Sequence, residues 1–222
     1  MSDKYPDESP YTYCGNNPIL LIDPNGREKI ISFNTSNSSE EQNTTNSHLK
    51  DAANHFPNND NVIHLFAHGV VTNSGKCIGI SIYNSNEERN ERISTTFELD
   101  KFLKENSMVY QNSNAKTVIL VMHSCKTGQD NAIAQQASLD LNMLIIAPSD
   151  MVNVYTAVFS PEIEYSKETG VSNEGCWEVY YKGIKIDSIS GSTPPVFDNP
   201  DQVINEYEKA YRQIQGCETA TD

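Results

Sequence analysis

The chemistry of this chain is concentrated at the ends of two apolar runs. Val62-Ile63-His64-Leu65-Phe66-Ala67 leads into His68-Gly69, and Thr117-Val118-Ile119-Leu120-Val121-Met122 leads into His123-Ser124-Cys125. A cysteine thiolate is a strong nucleophile, and a nearby imidazole lowers the thiol pKa or protonates a leaving amine. Gly69 leaves its backbone N–H without a side chain beside it, so that N–H and the N–H of Cys125 suit the stabilisation of an oxyanion. Gly128 lets the loop after the nucleophile turn tightly. These residue types predict acyl transfer. Cys125 is the expected nucleophile, His68 the acid and base, and the backbone of Gly69 and Cys125 the oxyanion hole.

Neighbouring residues offer rival roles. His64 precedes His68 by four positions, ~13 Å along a regular strand, and reads as a core histidine. His123 lies two positions before Cys125 on the same strand face, ~6.6 Å away, and either supports the nucleophile or serves the core. His64, His68, His123 and Cys125 are also types that ligate transition metals, which keeps a metal-dependent hydrolase or nuclease as an alternative. The strand offset between His64 and His68 speaks against a shared site, and neither a metal nor a cofactor is expected. Cys77, Cys176 and Cys217 read as structural, and Trp177 as a packing anchor.

The elements that must position His68 and Cys125 can be read from the pattern. Continuous apolar runs of this length fit strands buried on both faces, as in a parallel sheet flanked by helices. Neighbouring strands lie ~4.8 Å apart, which brings their terminal side chains within reach of one substrate. Open α/β sheets carry their sites at those carboxyl ends. Thr95-Thr96-Phe97-Glu98 has capping-box spacing and opens a crossover helix through Phe102 and Leu103. Ile78 to Tyr83 alternates weakly, as an edge strand or hairpin. Asp130 is the expected cap of a helix burying Ile133, Ala134, Ala137 and Leu141. Met143 to Ala147 reads as a third buried strand, closed by Pro148. Segments 151–159, 177–181 and 184–188 have strand composition, and Lys182-Gly183 turns the last two into a hairpin. Residues 201–215 form a helix with Val203, Ile204, Tyr207, Tyr211 and Ile214 on one face and Gly216 as its stop. Earlier, a helix is expected over residues 47–56.

Composition narrows the partners. The chain has 222 residues, with 16 Lys+Arg against 30 Asp+Glu, a formal net charge of −14. Phosphate binding needs clustered cations, so nucleic acid and anionic membranes are not expected partners. No apolar run approaches the ~20 residues that span a bilayer, and the start lacks the apolar region of a signal peptide. Five scattered cysteines without CxxC pairs suggest free thiols.

Two resemblances extend this reading. Ser9-Pro10-Tyr11-Thr12-Tyr13-Cys14-Gly15-Asn16-Asn17-Pro18, followed by Ile22-Asp23-Pro24-Asn25-Gly26-Arg27, resembles the end of the core of bacterial Rhs repeat proteins. In that family the segment joins a β-cage shell to a variable C-terminal toxin. Some members self-cleave there with a pair of aspartates; only Asp23 matches, so autocleavage is not expected. The texts Leu65 to Gly69 and Ile119 to Cys125 resemble the caspase-like (clan CD) cysteine peptidases. The stretch from Lys126 to Gln136, Ile145 to Pro148, and Gly175 to Tyr180 resemble the self-processing peptidase domains of large bacterial toxins.

The resemblances imply an α/β fold with a mainly parallel caspase-like sheet, flanking helices, a C-terminal β-hairpin and a terminal helix. They imply residues 1–28 as the junction segment, 29–61 as a polar linker with a short helix, 62–190 as the peptidase domain, and 191–222 as linker and C-terminal helix. The function implied is that of a cysteine endopeptidase toxin with a Cys125–His68 dyad. It would act on a protein or peptide substrate in the cytoplasm of a target bacterium, opposed by a cognate immunity protein and carried by an Rhs shell. A catalytically inactive caspase-like binding module is the remaining alternative. Activation by inositol hexakisphosphate is not expected, because the basic residues are scattered. Asp150, just past the third strand, is a candidate specificity pocket for a substrate Arg or Lys, its ordinary alternative being a turn cap.

Overall fold

Apolar runs that cannot face water on either side demand cover on both, and the sheet of this protein has it. The computed structural model describes residues 20–22, 28–33, 50, 53, 61–84, 87–112, 117–158, 165–171, 175–190 and 199–216. Among these the strands are β1 (Leu20–Ile22), β2 (Glu28–Ile31), β3 (Val62–Phe66), β4 (His68–Val71), β5 (Cys77–Asn84), β6 (Arg89–Ile93), β7 (Ile119–His123), β8 (Leu144–Pro148), β9 (Val152–Val158), β10 (Tyr165–Val171), β11 (Cys176–Tyr181) and β12 (Ile184–Ser190). The helices are α1 (Thr96–Asn106), α2 (Met108–Asn112), α3 (Ile133–Asp140) and α4 (Pro200–Ile214).

The main sheet runs β1-β2-β3-β7-β8-β11-β12. Its centre, β2-β3-β7-β8, is parallel, while β1 on one side and β11 and β12 on the other join antiparallel. The architecture is therefore α/β with a mixed sheet. A second sheet, β4-β5-β6, and the ribbon β9-β10 are both antiparallel.

Alternation along each strand sorts the core into two layers. Ile63, Leu65, Leu120, Met122 and Ile145 face α1, α2, α3 and the β5-β6 hairpin. Val62, Ile119, Val121, Leu144, Ile146 and Trp177 face the other way, where Ile204 of α4 packs with Val203, Tyr207 and Tyr211 beside it. Helix α4 covers that face as its apolar spacing predicts; Asn199 caps it and Pro200 occupies its first turn. Ile214 stays exposed at its end.

The local signals are realised with some changes. Thr95 and Glu98 form the capping box at the start of α1. Lys182 (φ 51) and Gly183 (φ 79) make the two-residue turn between β11 and β12, the left-handed pair that suits the twist of a hairpin. Asp130 does not cap α3. Its N-cap is Ala132 with no side-chain bond, because Asp130 stands two residues before the cap position; Asp130 instead pairs with Lys185 at 3.2 Å. The weak alternation of 78–83 is the middle strand of the small sheet, not an edge.

The sheet also reaches outside residues 62–190, since β1 and β2 belong to it. Glu28 is buried, and its carboxylate accepts from the Ser107 hydroxyl and from the Met108 N–H at 2.8 Å. Of the helix expected over 47–56, Lys50 and Ala53 are helical and the remainder lies outside the described residues. The Rhs-like segment 9–27 lies outside them too, except Leu20 to Ile22.

Candidate active site

Strands β3 and β7 are parallel neighbours, paired from Val62–Ile119 to Phe66–His123. Two residues past the end of β3 the chain enters β4 at His68, and two residues past the end of β7 it reaches Cys125. The two sequence-predicted residues thus leave adjacent strands at the same end of the sheet, as expected. His68 is not merely past a strand end: it opens β4 and pairs with Ser81 of β5, so the small sheet carries it.

The contact between the two loops runs through backbone. A Cβ added to Gly69 would stand 2.0 Å from the carbonyl oxygen of Cys125, far inside any real contact. Glycine is therefore demanded here by close approach, and the approach brings the β4 backbone against Cys125. The Val152 N–H donates to Cys125 Sγ at 3.3 Å. The N–H groups of Gly69 and of Cys125 itself, the two expected oxyanion donors, act on this sulfur to hold its pKa down, and Val152 at the start of β9 is a further donor that no sequence motif signals.

Electrostatics keep the pair neutral at rest. Burial is the main effect that pushes the Cys125 thiol up, aided by the Asp150 carboxylate and opposed by the three backbone donors. Burial pushes His68 down. The proton accordingly sits on sulfur and the imidazole is free base near neutrality.

The loop after Cys125 is braced on every side. Lys126 adopts φ 60, and Gly128 presses so closely on β8 that a Cβ would meet the Ala147 carbonyl oxygen at 2.2 Å. Gly128 is thus required by packing against β8. Its N–H donates to the Pro148 carbonyl at 2.8 Å, and its carbonyl accepts from the buried Tyr180 hydroxyl at 2.8 Å. Gln129 accepts from the Cys77 N–H at 3.1 Å and donates to the Gly75 carbonyl at 3.3 Å, tying this loop to the β4-β5 turn. Cys77 consequently lies near enough to Cys125 for the thiolate charge of one to raise the pKa of the other. Cys77 is buried and its thiol donates to the Gly79 carbonyl at 3.4 Å, in keeping with a structural role. Cys14 and Cys217 lie outside the described residues.

Asp150 is beside Cys125, as its effect on the thiol indicates. Its carboxylate faces Lys126 Nζ at 3.6 Å, and its carbonyl accepts from the Lys126 N–H at 2.9 Å. Asp150 thus has an internal cation beside its carboxylate, and its carbonyl braces the loop after Cys125.

His64 and His123 meet in the core. Nδ1 of His64 and Nε2 of His123 are 3.0 Å apart, and His123 stacks on Phe66 at 4.1 Å and meets Trp177 edge-on at 5.6 Å. Burial, reinforced by Lys29, pushes His64 down to about 3; burial, reinforced by His64, lowers His123 strongly. A protonated pair would place two cations in an apolar layer, so both rings are neutral. Among the described residues no three His, Cys, Asp or Glu side chains form a metal-holding group. Trp177 is fully buried, as a packing anchor should be.

Comparison of the chain with protein-family models, with curated proteins and with solved structures gives no match.

Proposed function

We propose that the chain is a cysteine endopeptidase of caspase-like type, with Cys125 and His68 as its dyad. The observation that carries this reading is that Cys125 and His68 stand just past the ends of adjacent parallel strands, at the same end of the sheet, with the Gly69 backbone pressed against Cys125.

The neutral resting pair sets the order of proton movements. On substrate binding the Cys125 thiol proton passes to His68 as Sγ attacks the peptide carbonyl carbon. The oxygen, now negative, is received by the N–H groups of Gly69 and Cys125. Collapse breaks the C–N bond, and the leaving amine takes the proton from His68. A water then attacks the thioester while giving a proton to His68, and the acid product leaves as that proton returns to sulfur. Neutral His68 is the form the first step needs, and burial keeps it so.

The Rhs-like segment supports a role as an effector toxin, carried by an Rhs shell into a target bacterium and opposed there by an immunity protein. The test is substitution. Cys125→Ala is expected to abolish cleavage of a target-cell protein and toxicity together; persistence of either overturns the assignment. Selective labelling of Cys125 by a peptide electrophile separates an active peptidase from an inactive caspase-like binding module.

A further inference from the structure

We propose that Phe33, from the segment preceding the paired apolar runs, is the positioning residue of His68. This rests on the reading of Cys125 and His68 as a catalytic dyad. The Phe33 ring centroid lies 5.8 Å from that of His68, at an interplanar angle of 49°. Contact at this distance and tilt restricts rotation of the imidazole about its χ2 and excludes water from one side of it.

The anchoring of Phe33 is what makes it a device rather than an accidental neighbour. Its chain enters through β2, paired in parallel with β3 as far as Ile31–Phe66. One residue on, the Ser32 N–H donates to the Phe66 carbonyl at 2.9 Å and the Ser32 carbonyl accepts from the Tyr83 N–H at 3.3 Å. Ser32 is thus clamped between the main sheet and β5, the strand that pairs with His68. The next residue, Phe33, is itself buried, in a cluster with Ile31, Ala53 and Phe66. Both partners of the ring contact are held by the same two strands, so the geometry is preset before substrate arrives.

Titratable groups on the elements around His68 include Cys77 and Tyr83 on β5, Lys76 in the β4-β5 turn and, on the loop after β7, Cys125 and the Lys126–Asp150 pair. The imidazole is therefore best read with Cys125 replaced. The experiment tracks the His68 ring by NMR through a pH titration in Cys125→Ala protein, with Phe33 intact or changed to Leu, Ala or Tyr. Turnover of a peptide substrate is measured in the same Phe33 variants with Cys125 present. Phe33→Leu keeps apolar volume and guards against loss of folding, while Phe33→Tyr keeps the ring. Leu and Ala are expected to remove the ring-current shift of His68 and move its titration midpoint upward toward that of a free histidine. They are also expected to lower kcat by about 10–100-fold with KM little changed, the scale of a misplaced catalytic group. Tyr is expected to restore both. An unchanged His68 shift and midpoint in folded Phe33→Leu protein overturns the inference. Failure of the peptidase reading would appear separately, as cleavage that survives Cys125→Ala.

Discussion

Acid should destabilise this protein through the His64–His123 pair, and the size of the effect is set by its burial. An unfolded histidine titrates near 6.5, whereas His64 in the fold titrates at about 3. Below pH 6.5 the unfolded chain binds a proton that the folded chain refuses. Stability is therefore complete above that pH and falls continuously toward pH 3. For His64 alone the linkage amounts to about 2 kcal/mol lost at pH 5 and about 3 kcal/mol at pH 4. His123, lowered in the same direction, adds to it. Glu28 works the other way, because burial raises its carboxyl and its protonation in the fold relieves a buried charge as pH falls. Against a total of about 5–15 kcal/mol, the pair makes a large loss of stability the expected outcome near pH 4. Urea unfolding followed by circular dichroism at pH 7.5, 6, 5 and 4 measures the slope. Replacing both histidines by leucine removes the two titrating groups together and should flatten it. Stability that stays level from pH 7.5 to pH 4 in the natural sequence, or a slope unchanged in the double variant, would refute the reasoning.

Three further outcomes are expected. Gly69→Ala forces a Cβ against the Cys125 carbonyl oxygen and must part β4 from the nucleophile loop; turnover should fall by about 10²–10³, the effect of losing one oxyanion donor, with full activity in a folded variant as the contrary result. Alkylation of Cys125 by iodoacetamide should still be accelerating above pH 9, because the thiol is pushed up and His68 down; a plateau below pH 7 would indicate a preformed ion pair instead. Asp150→Asn removes a charge that raises the thiol, so the same alkylation profile should shift to lower pH; no shift would mean that Asp150 does not act on Cys125.

Local patterns in the chain determine a good part of this molecule. Two unbroken apolar runs imply strands covered on both sides, and the capping box at Thr95, the turn at Lys182-Gly183 and the apolar stripe of α4 mark their elements from a few residues each. Because sites in such sheets gather at strand ends, His68, Gly69 and Cys125 are identifiable from their positions just after the two runs. Contacts between distant segments are another matter, since nothing within one segment encodes its partner's register. Only the tertiary structure brings His64 to His123 across 59 positions, Val152 to the sulfur of Cys125, and Cys77 to the site through Gln129. Asp130 looks like a cap in isolation and becomes an ion-pair partner once Lys185 is folded beside it. Gly69 reads in sequence as an unobstructed backbone N–H; in the fold it is also what lets β4 lie on the Cys125 carbonyl, because steric exclusion exists only where two backbones have met.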